Sequence, residues 1–491
     1  MLHIGQQNGG RPLEITKEQD NTTAGSDKIP RMKAIEQACY WFSTIDGLVP
    51  SGPDASNLHA NPLSGDVECD VAVIGAGFTG LWTAHFLKFL KPDLNIVVLE
   101  QGIAGYGASG RNAGIVSPSI DHSHALAISH FGRQEAQRLA HIGLSNVREL
   151  GEYARDCDFE PTGVLNVAFN EDHMEACRDT ARVADDLGIG NHRLLSARET
   201  REQLDSPLYV GGLHIADGGI INPLKLVYKL KGELETQGVR IFDNTRVTGV
   251  QEGLVTTNAG CIKADKVVLA TDAYTHHLFP QLLTRFIPLY DYILVSRPLT
   301  QPELQSIGWG QRQGVTDGRT FFNYYRLTAD NRILWGTSEA VYYPSNRVDT
   351  NCDHSQRHYD SLKESFDRHF PQLKGMDFPF GWGGPIASTT RLTPFFGTMH
   401  RGRTFYALGY TGHGIGTTRL AGKILAHMAL SQPSDLLQLK MVCSQPFPYP
   451  PEPLRGLAVN AVTRSLQKVD AGQKPNILLK VLDVMGIGFS S

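Results

Sequence analysis

Three glycine-bearing runs hold the residues with the plainest chemical use: Gly75-Ala76-Gly77-Phe78-Thr79-Gly80, Gly107-Ala108-Ser109-Gly110-Arg111-Asn112-Ala113-Gly114 and Gly409-Tyr410-Thr411-Gly412-His413-Gly414-Ile415-Gly416. In the first, Gly75 permits a tight turn, Gly77 lets backbone approach a pyrophosphate, and Gly80 lets the next helix pack on its sheet with its N-terminus facing the anion. Glu100 stands twenty residues beyond Gly80, placed to accept hydrogen bonds from a ribose diol. This much describes a dinucleotide site and leaves NAD and FAD both open. The second run discriminates. A glycine and serine loop so soon after the second strand can lay amides and hydroxyls along a second phosphate and a flavin edge, as an extended FAD requires. The third run offers backbone N–H groups and the positive end of a helix dipole to an electron-rich group.

The elements that must carry these runs follow from periodicity. Asp70–Ile74 reads as a buried parallel strand, followed by a helix and a second strand from Asn95 to Leu99. Apolar residues at helical spacing run from His124 to Cys157, followed by a strand at Gly163–Phe169 and a helix at Met174–Leu187. Asn222 and Pro223 mark a helix start, by capping and by proline at the first turn. Strands are expected at Val239–Phe242 and Lys266–Ala273, the latter ending in a small-residue turn suited to close approach of a cofactor. From Pro288 to about Phe380, aromatic-rich strands (Tyr290–Val295, Thr320–Leu327, Arg332–Gly336) predict an antiparallel sheet roofing a ligand. Thr404–Leu408 leads into the third glycine run, with a helix over Thr417–Leu430. No internal repeat is evident.

The expected fold class is α/β, or α+β overall: a Rossmann-like FAD-binding domain of discontinuous segments plus an antiparallel-sheet substrate domain. The expected division is an N-terminal arm at 1–64, FAD-binding segments at 65–125, 215–287 and 381–435, substrate-domain segments at 126–214 and 288–380, and a C-terminal extension at 436–491. The arm is polar apart from Ala38–Phe42, whose Tyr40 and Trp41 are expected to pack on the body.

Composition narrows the partners. The chain has 491 residues, 41% hydrophobic and 20% charged, with a net charge of -4; this fits a soluble globular protein with a large core and no polybasic surface for nucleic acid. The N-terminal MLHIGQQNGGRPLEITKEQD lacks a secretory pattern, no span suits a bilayer, and the end GFSS is not a peroxisomal address; the cytoplasm is the default. Seven cysteines without a CxxC pair read as reduced thiols. Cys352 with His354 and His358, or His122 with His124, lacks a full ligand set, so no metal is expected.

Taken together, VIGAGFTG with Glu100, GASGRNAG, GGIINP, VVLATDAYT, YYRLTADNRILWG, WGGPIASTTRLTP and ALGYTGHGIGTT resemble the D-amino acid oxidase superfamily of FAD-dependent amine and amino-acid oxidoreductases, in its glycine and sarcosine oxidase branch. YYRLTADNRILWG and the WGG segment look closest to gamma-glutamylputrescine oxidase-like proteins. The resemblance implies that Gly75, Gly77, Phe78, Thr79 and Gly80 hold the FAD pyrophosphate, and that Glu100 and Gln101 meet the adenosine ribose. Ser109, Gly110, Arg111, Asn112, Ala113 and Gly114 would follow the phosphate and flavin edge. Val247 would meet the adenine through its backbone, with Ala270 and Thr271 at the same end. Gly412, His413, Gly414 and Ile415 would lie at the flavin pyrimidine ring, where the helix N-terminus stabilises charge gained on reduction. Positions of covalent attachment in some relatives read Arg111 and Ser388-Thr389-Thr390 here, so noncovalent FAD is expected.

The implied chemistry is oxidation of the C–N bond of a small amine or amino acid: a neutral amine loses hydride to the flavin, and the imine hydrolyses to an aldehyde or oxo acid. Positioning and a dry pocket matter more than acid–base machinery. Arg391 is the expected carboxylate anchor, against a structural ion pair. Tyr325 and His413 are further positioning candidates. Tyr290, Tyr292, Tyr324, Tyr325 and Trp335 are candidate pocket walls, although aromatics in a sheet are more often core, and Arg326 equally suits bracing. O2 giving H2O2 is the expected acceptor. Sarcosine oxidase-type relatives carry a lysine on the strand matching Arg332–Gly336, which here reads RILWG, so a dehydrogenase with another acceptor stays open. A flavin-bearing assembly protein is the reading from another class, and the intact flavin-facing runs argue against it.

Overall fold

The computed structural model describes residues 34–48, 61–120, 122–484 and 487; the N-terminal stretch examined for a secretory pattern and the final GFSS lie outside them. One eight-stranded sheet has the spatial order Phe395–Met399, Thr404–Leu408, Cys261–Leu269, Val67–Ile74, Ile96–Leu99, Arg240–Phe242, with the ribbon Val247–Gln251 and Leu254–Thr257 hanging from the long strand. Its central pairings are parallel, as Val71 opposite Ile96 and Lys266. Such strands are covered on both faces, which explains their nearly continuous apolar runs. Helices Phe78–Leu90 and Gly414–Leu430 pack together on one face; a Cβ on Gly422 would sit 2.6 Å from Trp82 Cβ, so glycine sets this approach.

The second sheet runs Phe380–Ser388, Ile287–Pro298, Arg332–Val341, Asn323–Leu327, Gly314–Asp317, Val164–Ala168, Gly211–Ile215, His192–Ser196. Two expectations need correction. The strands expected between Pro288 and Phe380 pair antiparallel, but the sheet as a whole is mixed, because Gly314–Asp317 pairs in parallel with Val164–Ala168; that junction inside the sheet joins two distant chain segments, and nothing local in either reports direction. Residues 381–388, assigned above to the FAD-binding part, belong here, since Phe380–Ser388 pairs antiparallel with Ile287–Val295. The glycines in that run hid a strand that needs them: a Cβ on Gly383 would lie 2.6 Å from the Tyr292 ring.

Alternation sorts the long strand Ile287–Pro298. Tyr290, Tyr292 and Leu294 enter a core shared with Tyr325, Trp335, Phe366 and Phe370, while Ile287, Leu289, Asp291 and Ile293 face the cavity described below. Tyr40, Trp41 and Phe42 are buried. The Trp41 indole donates to Asn112 O at 2.8 Å and Tyr40 to Asp330 at 2.6 Å, so this segment braces the second glycine run.

Candidate functional site

A cavity of about 1080 Å³ lies between the two sheets, above the roughly 300–1,000 Å³ usual for a drug-sized ligand. All three glycine runs border it. They are also bonded to one another: Phe78 N donates to Ser109 Oγ at 2.8 Å, and Thr79 Oγ1 to the Tyr410 hydroxyl at 2.9 Å. Gly75, at φ +105°, runs close under the turn after Leu269, where an added Cβ would meet Ala270 O at 2.6 Å. A Cβ on Gly77 would reach Ser109 Oγ at 2.8 Å, and one on Gly80 would run into the Gly75 carbonyl. The spacing of the first run is thus an imprint of close approach.

Of the twenty cofactor positions expected, eighteen border the cavity. Gly80 and Gly110 do not; they serve packing, and a Cβ on Gly110 would strike Gly105 O and crowd Leu224. The side chains of the second run differ from expectation too. Asn112 spends its amide on Ala108 O and Ser109 O and accepts from Gly114 N, shaping the loop. Arg111 is drawn away to Tyr106 O, Gly383 O and Asp353, the last at 2.9 Å. Glu100 accepts from Ala76 N and Gly102 N at 2.9 and 3.0 Å; burial raises its pKa and those two amides partly offset the rise.

The residues present fit an extended dinucleotide. Helices Phe78–Leu90 and Gly414–Leu430 both begin at the cavity, and neither Gly77 nor His413 caps its helix with a side chain. In the first helix Phe78 N–H is taken by Ser109 Oγ; the first-turn N–H groups beyond it, and those of the second helix, are left for an anion or an electron-rich ring edge. A Cβ on Gly412 would meet nothing within 4 Å. His413 lies edge-to-face with His122, ring centres 4.1 Å apart. Burial pushes His413 down to about 4, and burial together with His413 holds His122 well below its ordinary range, so both rings are neutral near pH 7. His122 Nε2 donates to Thr411 O at 2.6 Å, and Nδ1 of each ring has no partner.

The substrate-side candidates fare differently. Arg391 does not border the cavity. Its guanidinium donates to Pro394 O, Met441 O, Ser444 O and Ser444 Oγ at 2.7–3.2 Å, so it ties down the segment after the last FAD-binding helix rather than meeting a ligand. Tyr325 is likewise core, hydrogen-bonded to Tyr209 at 2.5 Å and stacked on Trp335 at 4.4 Å. Arg326 braces Gly114 O and Ile221 O. Tyr290, Tyr292 and Trp335 lie on the sheet's far face; Tyr324 alone of the aromatic candidates faces the cavity.

Three features escaped the sequence reading. Asp272, inside the ATDAYT run, accepts from Gly409 N at 3.0 Å and Ala387 N at 3.3 Å, joining three segments at the cavity; burial lifts it to about 6 against those bonds. Asp291 accepts from Tyr324 at 2.6 Å, and burial lifts it to about 7. An acid alternating with tyrosines in YDYILV was the available signal, since aspartate is disfavoured in strands. Finally, the C-terminal helix Leu454–Asp470 lines the cavity with Val459, Val462 and Leu466. Asp470 fastens it by accepting from Thr320 N and Phe321 N at 2.8 Å each.

A family model described as FAD dependent oxidoreductase matches residues 70–428. The chain belongs to that family, the D-amino acid oxidase group. It is 30% identical over 394 residues to the gamma-glutamylputrescine oxidoreductase of Escherichia coli K12, covering 79% of this chain and 89% of that one. It is 29% identical over 391 residues to the probable oxidoreductase OrdL of Haemophilus influenzae, covering 76% and 86%. Among solved structures, L-proline dehydrogenase from P. horikoshii superposes with TM-score 0.63 at 19% identity, over 76% of this chain and 96% of that one. Glycine oxidase from Geobacillus kaustophilus does so with TM-score 0.63 at 18%, over 77% and 99%. The oxidoreductase fold expected from the glycine runs is the fold of this family. No helix among the described residues is long and apolar enough to cross a membrane, and no group of three or more metal-ligating side chains occurs among them.

Proposed function

We propose that this FAD-dependent oxidoreductase oxidises the C–N bond of a small amine or amino acid, releasing an imine that hydrolyses to an aldehyde or oxo acid. The observation carrying this reading is one shared cavity in which the glycine runs and the N-termini of two helices give way to the face of the mixed sheet bearing Asp291, Tyr324 and Trp382. When bound, the flavin supplies the two-electron acceptor for the substrate's hydride. The chain does the rest: the uncapped first turn at Gly414 is positioned to stabilise negative charge at a ring edge, and Ile293, Phe321 and Phe322 on the walls exclude water. The neutral His122–His413 pair adds no cation that would repel a substrate ammonium. FAD is held noncovalently in this reading, since Arg111 is not a side chain that forms such a bond; acid precipitation should leave yellow flavin in the supernatant, and flavin kept in the pellet refutes it. The seven cysteines, none paired, suit a reducing compartment, the cytoplasm.

The test is anaerobic bleaching of the bound flavin by a panel of D-amino acids, N-methyl amino acids, acylated diamines, polyamines and aminophosphonates. Reduction by none of them removes the amine-oxidising reading and favours the assembly-protein one. Readmitted air then assigns the acceptor. Peroxide equal to substrate consumed marks an oxidase, the reading taken here. One observation favours the dehydrogenase instead: among the described residues no lysine borders the cavity, and the strand resembling the relatives' lysine-bearing one reads RILWG. Flavin that stays reduced in air would establish that second reading.

A further inference from the structure

The mixed sheet carries a device that the oxidation chemistry above leaves unused. Tyr324 and Asp291 are two strands apart, separated by Arg332–Val341. Tyr324 stands opposite Gly336 in the strand pairing, and its ring lies over that glycine, where a Cβ would collide with it. The missing side chain lets the phenol cross the middle strand and donate to Asp291 Oδ2 at 2.6 Å. The other carboxylate oxygen, Oδ1, is shut off from solvent and has no partner. A half-satisfied buried carboxylate is costly and is stabilised by a cation.

No such cation comes from the protein among the described residues. Arg111 packs against Gly384, the residue opposite Asp291 in the neighbouring strand, but its charge is matched by Asp353 at 2.9 Å. Arg319 is bound to Asp317, and Arg455 to Asn346 and Pro450 O. Arg391, the expected carboxylate clamp, is taken up by backbone carbonyls outside the cavity. Near Asp291 the wall therefore offers one carboxylate without a countercharge, while the guanidinium beside it, Arg111, already has its charge matched by Asp353 and keeps only Nη2 without a partner.

We propose that Asp291, oriented by Tyr324 across Gly336, is the subsite that receives a positively charged substrate nitrogen, so that the preferred substrates are cationic amines rather than compounds held by a carboxylate. The inference rests on the cavity being the amine-oxidising site proposed above, and it gives that site its substrate class. Asp291 binds and positions; Tyr324 acts through it.

The test is calorimetric binding to the FAD-loaded enzyme of n-butylammonium, 1,4-diaminobutane and n-butyrate, which needs no turnover and so stands apart from the bleaching panel. Butylammonium and diaminobutane should bind and butyrate should not. Asp291→Asn should weaken the two cations at least tenfold and abolish the preference over butyrate; Tyr324→Phe should weaken them about three- to tenfold with flavin content unchanged. Butyrate binding as tightly as butylammonium, or cation binding untouched by Asp291→Asn, overturns the proposal. If Asp291→Asn fails to retain FAD, Tyr324→Phe decides, and unchanged cation binding in it is equally a refutation. Selective binding of cations that never reduce the flavin would uphold the subsite while removing the oxidation reading.

Discussion

Arg391→Met separates a substrate clamp from a structural tie. The wild-type guanidinium supplies hydrogen bonds to two buried carbonyls, Pro394 O and Met441 O, and to the half-buried Ser444, while burial pulls its own pKa down to about 10. Methionine fills a similar length but donates nothing. At about 1–3 kcal/mol for each buried acceptor left unpaired, the two carbonyls account for about 4 kcal/mol. If the loss is felt globally, an unfolding entropy of about 2.1 cal/mol/K per residue over a chain of this size converts it to a Tm fall of about 4 °C. If it is felt locally, as multidomain proteins allow, the segment around Met441–Ser444 should detach first. The assays are thermal unfolding of the FAD-loaded enzyme and limited proteolysis of residues 439–447, with Arg391→Lys as a control that keeps the charge but cannot span Pro394 and Met441 together. A structural tie predicts lower Tm, faster cleavage and unchanged ligand binding in Met, with Lys nearly as impaired. Unaltered Tm and cleavage together with lost binding of a carboxylate ligand would refute this reasoning and restore the clamp.

Gly80→Ala puts a methyl against the Gly75 carbonyl; overpacking of this kind costs about 1–3 kcal/mol, so FAD affinity should fall roughly tenfold or more, read by flavin content after gel filtration. Ser109→Ala removes the acceptor for Phe78 N–H at the helix start, an effect of about 1 kcal/mol by analogy with N-caps; equilibrium titration with FAD should show about fivefold weaker binding. Gly336→Ala should displace Tyr324, lowering cation binding by as much as Tyr324→Phe while leaving FAD in place. Asp291 gives a pH signature in the ligand-free protein: with its pKa near 7 against about 3.9 unfolded, the native state holds more protons between pH 4 and 7, so this group's contribution to stability falls as pH rises through that window and levels above it, by at most about 4 kcal/mol. Tyr324 and the Asp353-paired Arg111 are the ionisable groups facing it; Asp291→Asn should flatten the decline in Tm between pH 5 and 8, and an unchanged decline would show that Asp291 is ionised throughout.

The FAD half of the protein was legible because its constraints are local. A turn at φ +105° beneath Ala270 O, or a helix start that cannot tolerate a Cβ, admits only glycine, and such demands leave a fixed spacing in the chain. The substrate half was less legible because its constraints are relational. Whether Tyr324 or Tyr325 faces the ligand depends on register, and one residue of slip exchanges the faces of a strand. Tyr325 and Trp335 looked like pocket walls because they are aromatic, and they are buried against one another for that same reason. The cavity-lining helix Leu454–Asp470 was invisible: its sequence shows amphipathicity, while the contact that places it is one aspartate accepting from two backbone amides about 150 residues earlier in the chain.

Arginine and aspartate exchange their expected roles here for a single physical reason. A guanidinium carries five donors, so where the chain must hold several carbonyls at one point it is the efficient choice, and both terminal nitrogens of Arg391 are engaged by the fold before any ligand arrives. A carboxylate can only accept, and in a sheet whose amides are already spent on neighbouring strands it finds few donors. Asp291 finds the Tyr324 phenol for Oδ2 and, among the described residues, no partner for Oδ1. The side chain left without a countercharge is therefore the acid, and a missing countercharge, rather than residue type, marks where a charged ligand is favoured. If Asp291→Asn leaves cation binding intact, that criterion fails for this cavity, and recognition must rest on the shape of its Tyr324, Phe322 and Trp382 walls.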